Sequence, residues 1–151
     1  MSLRLGIWAF ACATIGLGCE EEPVLTPLPD PVPLEQSADG TIALPSGLVV
    51  RLHETRLEPK GVPTHSVNTV RLRYVAPNLG DIFSFEQIEG DFTHLCATFG
   101  LMTRAQSAPD AGQIIISIAS QQTAFGESAP NVVQYFDAFS VQNDACIWEG
   151  L

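Results

Sequence analysis

The chain has 151 residues, with seven Lys/Arg against seventeen Asp/Glu and a formal net charge of −10 at pH 7. A surface this acidic repels nucleic acid and anionic lipid headgroups, which excludes a general nucleic-acid-binding role. The length suits one modest domain beside any targeting segments.

Arg4 is followed by Leu5 to Gly18, a run of about fourteen residues without a charge. A helix crossing a bilayer needs about 20 residues, so the run matches the apolar region of a secretory signal peptide, placed at 1–18. Gly16, Leu17 and Gly18 then lead into Cys19, a sequence that resembles a bacterial lipobox, although its leucine stands one place later than usual. Two outcomes stay open: cleavage before Cys19 with acylation of that cysteine, or ordinary signal-peptide cleavage that leaves a free thiol. Beyond Cys19 come three glutamates and then Pro23, Pro27, Pro29, Pro31 and Pro33. Proline favours extended polyproline II, and the segment holds too few large apolar side chains to offset its ordering entropy. Residues 19–40 are therefore expected to be a lipid-anchor cysteine and a semi-rigid tether, with a single globular domain at 41–151.

Within the domain, Thr41 to Leu44 suggests a short first strand. Leu48 to Glu58 alternates, with Val50 and Leu52 on one side and Arg51 and His53 on the other, as a half-buried strand does. Val67 to Ala76 alternates again, Val70, Leu72 and Tyr74 against Arg71 and Arg73. Ser84 and Gln87 form a capping box for a helix, along which Ile88, Phe92, Leu95, Cys96 and Phe99 recur at helical spacing. Gln113 to Ser120 is a β-branched run suited to a central strand. Val132 to Val141 and Ala145 to Glu149 predict a hairpin about Gln142-Asn143-Asp144. The expected class is α+β: two layers, a mostly antiparallel sheet of about five strands with one covering helix.

Cys12 leaves with the signal peptide and Cys19 is the anchor candidate, which leaves Cys96 and Cys146 as an even pair in an exported chain. A disulfide between them would close a loop of about fifty residues and contribute roughly 4 kcal/mol in the chain-entropy description; two buried free thiols are the alternative.

Signatures of known chemistry are missing: no HExxH, no GxSxG, no P-loop, and His53, His65 and His94 lie far apart. No catalytic residue, metal site or cofactor is expected. One concentration of charge stands out. Arg51, His53, Arg71 and Arg73 would share a sheet face if their strands pair, and guanidinium groups suit carboxylate or phosphate. The competing explanation is a solvated polar face compensated by Glu54 and Glu58. A second patch is aromatic: Tyr135, Phe136, Phe139 and Trp148, either buried under the helix and loops or exposed to a partner.

The runs PSGLVVRLHE and RLRYVAP, the LC within THLCATFGL, and the tail QYFDAFSVQNDACIWEGL resemble a family of small exported proteobacterial proteins classed as a domain of unknown function. The resemblance implies export and a single compact domain, and no activity. Some members carry the label acetolactate synthase; the Gly-Asp-Gly metal motif of such an enzyme has no counterpart in Gly90-Asp91-Phe92. The function expected is that of a non-enzymatic envelope lipoprotein, binding a partner protein or supporting an assembly. It would sit on the periplasmic side, held by N-terminal acyl chains, with the outer membrane favoured; a soluble periplasmic protein is the alternative location. The alternative function is a small anionic-ligand-binding domain that uses the arginine face.

Overall fold

The computed structural model describes residues 38–61 and 65–150. The expected signal segment, Cys19 and the expected tether up to residue 37 lie outside the described residues. The elements run β1 (Thr41–Ala43), β2 (Val49–Glu58), β3 (Thr69–Val75), α1 (Phe85–Leu95), a π-helical turn (Cys96–Gly100), α2 (Leu101–Ser107), β4 (Gln113–Ala119), β5 (Gln134–Gln142) and β6 (Ala145–Trp148). The class is α+β, but the sheet has six strands rather than about five. β1 is only three residues long, yet each of them pairs with β2, from Thr41 opposite Arg51 to Ala43 opposite Val49.

The spatial order of the strands repeats their order in the chain. Neighbours are antiparallel except β3 and β4, which run parallel with Val70 opposite Ile114 and Tyr74 opposite Ile118. Parallel neighbours cannot be joined by a tight turn and need a crossover. The continuous helical rod from Phe85 to Ser107 is that crossover. At its start the Gln87 side chain accepts from the Ser84 amide at 2.9 Å, one half of the expected capping box.

One face of the sheet carries the core. Val70, Leu72 and Tyr74 of β3 and Ile114, Ile116 and Ile118 of β4 are all buried, packed with Ile88, Phe92 and Leu95 of the helix. Burial pushes the Tyr74 phenol well above its ordinary value. Asp91, buried on α1, ties the β1–β2 turn to the helix: its two oxygens accept from the Ser46 amide at 3.1 Å and from the Ser46 hydroxyl.

The π-helical turn inserts one extra residue per turn into the rod, between Cys96 and Gly100. Gly100 lies against β4 so closely that a Cβ there would stand 3.0 Å from Ile114 Cγ2 and 3.5 Å from Cys96 Sγ. Cys96 is disulfide-bonded to Cys146 of β6, across a separation of 50 residues. The covering helix is thereby tied to the last strand. Among the described residues no helix is long and apolar enough to cross a membrane.

Candidate functional site

The face of β3 turned away from the helix carries Arg71 and Arg73. Their surroundings follow from an irregularity in β2. The register slips between Leu52 and Glu54, so that Leu52 lies opposite Tyr74 while Glu54 lies opposite Arg73. A bulge of this kind leaves one residue unpaired and shifts the alternation by one. His53 is the unpaired residue. Beyond it Glu54, Arg56 and Glu58 occupy the arginine face, opposite Arg73, Arg71 and Thr69. Arg51, opposite Val75, sits further along the strand and in no ion pair among the described residues. The structure thus brings Arg71 and Arg73 together, leaves Arg51 on the same face but further along β2, takes His53 out at the bulge, and sets Arg56 and two glutamates beside the pair.

These groups neutralise one another. Glu58 accepts from Arg71 Nε at 2.8 Å and from Nη2 at 3.3 Å, a two-pronged contact, and its Oε2 lies 2.7 Å from His65 Nε2. Glu54 joins Arg56, at 2.8 Å, to Arg73. Arg73 also donates to the Thr123 carbonyl at 2.8 Å and its hydroxyl at 3.0 Å. The 120–133 loop that supplies Thr123 also supplies Phe125. Its ring centroid lies 4.0 Å from the Arg56 guanidinium carbon, 5.5 Å from that of Arg71 and 5.7 Å from that of Arg73. Three cations around one aromatic ring form a cation–π cap. It makes tolerable the like-charge pair Arg56 and Arg71, which face each other directly.

The electrostatics agree. Hydrogen bonds from Arg56 and Arg73 hold the Glu54 carboxyl below its ordinary value. Burial pushes the Glu58 carboxyl up, but the Arg71 hydrogen bond, with the charges of Arg71, His65 and Arg56, outweighs it and leaves Glu58 low as well. An anion arriving at Arg71 or Arg73 has to displace a carboxylate already in place.

The aromatic patch divides between the faces. Tyr135 is partly buried against the core, edge-on to Phe85 at 5.5 Å, and Phe139 is fully buried. Phe136 and Trp148 are 52% and 57% exposed, with Ile147 at 44%. Phe136 and Ile147 point to the face turned away from the helix and Trp148 to the helix face, all on the last two strands of the sheet. Asn143 and Asp144, with φ of 51° and 56°, form the two-residue turn, which makes Gln142 and Ala145 the first bonded pair. The Glu149 amide donating to the Ala138 carbonyl at 3.0 Å keeps the same phase. It follows that Cys146 and Trp148 turn their backbone N–H and C=O groups outward, where no further strand lies among the described residues.

Trp148 also leans toward the helix. Its Nε1 donates to Asp137 Oδ1 at 3.2 Å. Between them and α1 is an open groove of about 350 Å³, lined by Glu89, Gly90, Thr93, Asp137 and Trp148. Sequence pattern alone missed Asp137, which stands on the helix side of β5, and it missed Phe125, which is brought in by a loop.

Cys19 lies outside the described residues. Among the described residues no group of three or more His, Cys, Asp or Glu side chains is placed to hold a metal ion. No curated protein and no solved structure matches the chain at a significant level. Residues 30–151 do match a family model, from within the proline-rich stretch onward, and the chain belongs to that family of unknown function (DUF6497).

Proposed function

We propose that the protein is an exported, lipid-anchored, non-enzymatic module of the cell envelope that captures a partner protein on its β5–β6 edge. The observation that carries this is the exposure of Ile147 and Trp148 on β6, with Phe136 on β5, at a strand to which no further strand pairs among the described residues. A sheet edge of that kind accepts an added strand, with backbone hydrogen bonds for affinity and side-chain contacts for selectivity. The Cys96–Cys146 disulfide holds the edge strand to the helix and fits an oxidising compartment. The apolar run ending at Cys19 and the proline tether support export and anchoring on the periplasmic side, with the outer membrane favoured. The arginine face is the weaker surface for a partner, because Glu54 and Glu58 already occupy its guanidinium groups.

The test is site-specific photo-crosslinking in the native envelope. A photoreactive residue at Ile147 or Phe136 is expected to trap one protein. The same residue at Met102, exposed on α2, should trap none. Equal capture at Met102, or no capture at the edge, would reject this function.

A further inference from the structure

The groove beside Trp148 has a chemistry of its own. Asp137 is only 5% exposed, and among the described residues it makes no ion pair. Its sole hydrogen bond there comes from the neutral indole N–H of Trp148 to Oδ1. The contrast within the same fold is Asp91, equally buried, whose two oxygens both accept from Ser46. The second oxygen, Oδ2, has no partner among the described residues and opens into the groove, so this carboxylate presents an accessible acceptor there rather than a satisfied one. No lysine or arginine among the described residues completes it. Of the six Lys/Arg among the described residues, Arg51, Arg56, Arg71 and Arg73 belong to β2 and β3, Lys60 to the loop that follows β2, and Arg104 reaches Asp144. None lines the groove.

The other groove residues point the same way. The half-exposed indole of Trp148 offers a ring to a cation. Glu89 adds a second carboxylate, and Thr93 a hydroxyl. Gly90 is in the interior of α1, where glycine is unfavourable relative to alanine. No packing demands it, since a Cβ at Gly90 would meet nothing within 4 Å. What glycine does there is leave the wall of the groove bare.

We infer that the groove formed by Asp137, Trp148, Glu89 and Gly90 binds an alkylammonium group. The ammonium sits between the vacant Asp137 oxygen and the indole, and its alkyl stem lies along the surface cleared by Gly90. This rests on the partner face proposed above and gives it a chemistry. The same group could come from a lysine side chain of the partner or from a free amine.

The experiment follows the indole N–H resonances of the ¹⁵N-labelled full chain in detergent, with the Trp148 signal assigned by Trp148→Phe. That proton is bonded to Asp137 and reports on it directly. The probes are n-butylammonium, its neutral counterpart 1-butanol, and a lysine blocked at both ends. The ammonium probes should shift the Trp148 signal saturably while butanol leaves it in place. Asp137→Asn keeps an acceptor for the indole and removes the charge; it should weaken binding roughly tenfold or more. Gly90→Gln, which leaves Asp137 untouched, should weaken binding by filling the groove. Tighter binding of blocked lysine than of butylammonium assigns the group to a protein partner, and the reverse order assigns it to a free amine. No shift with either ammonium probe, or an equal shift with butanol, overturns the inference. The photo-crosslinking result stands or falls independently of it.

Discussion

The two faces of the sheet are held by different physics. On the helix side Val70, Leu72 and Tyr74 meet Ile88, Phe92 and Leu95 in close apolar contact, closed by one covalent bond from Cys96 to Cys146. On the other side three arginines, two glutamates and His65 form a charged layer beneath a single loop phenylalanine. Apolar burial is non-directional and stabilises in proportion to area. A partly buried ion network contributes little by being complete, yet breaking it is costly, because the surviving charge keeps its desolvation penalty. The helix side thus depends on how well its volumes fill the core, as the close fit of Gly100 to Ile114 shows, whereas the other side depends on each charged partner being present.

Removing the covalent tie should have the largest effect. Replacing Cys96 and Cys146 together by alanine is expected to lower stability by about 4 kcal/mol, measured by urea denaturation. An unchanged midpoint after reduction of the wild type would show that the helix face needs no staple. Next is the charged layer. Glu58→Ala leaves Arg71 and His65 without their shared carboxylate and should lose about 3 kcal/mol; a loss under a third of that would mean water replaces the carboxylate readily. The same layer sets the response to acid. Glu54 and Glu58 titrate lower in the folded chain than the ordinary value of 4.5, so the unfolded chain takes up protons first as pH falls. Their contribution is full above about pH 4.5 and is lost as pH drops through the lower folded values. Melting temperature should therefore decline with acidification in that window, with a shallower slope in Glu58→Ala. Phe125→Ala removes the ring from the guanidinium cluster at a cost of about 1 kcal/mol, and should leave the helix side unaltered by hydrogen exchange. The smallest effect is a gain. Gly90→Ala should stabilise α1 by about 0.5–1 kcal/mol, because its Cβ meets nothing; a loss would reveal a contact at the groove.

The helix side was largely legible in the sequence, and the charged side was legible only in part. Alternation in β3 and helical spacing from Ile88 to Phe99 express a local period, which a sequence carries directly. The Asn143-Asp144 turn is likewise local. The bulge at His53 left one trace: Leu52 and Leu57 are five residues apart, an odd spacing that an unbulged strand cannot place on one face, yet they lie opposite Tyr74 and Val70 on the core side. That slip put Arg56 and the two glutamates beside Arg71 and Arg73 and moved His53 out. The parallel pairing of β3 with β4 and the arrival of Phe125 over the arginines depend on contacts between distant segments, for which no period exists. The π-helical turn was invisible because its residues satisfy the helical spacing on either side.

A sheet whose strands stand in the order of their synthesis has a consequence for how the chain assembles. Each strand finds its neighbour already present, and the one long excursion, from β3 to β4, is filled by a helix that can form locally. Pairings close in sequence favour rapid folding, so the domain can build vectorially as it emerges from a narrow channel, one edge growing at a time. The final increment is β6. Its cysteine meets Cys96 of the crossover helix in the folded domain, so oxidation of that pair locks β6 to an element formed well before it.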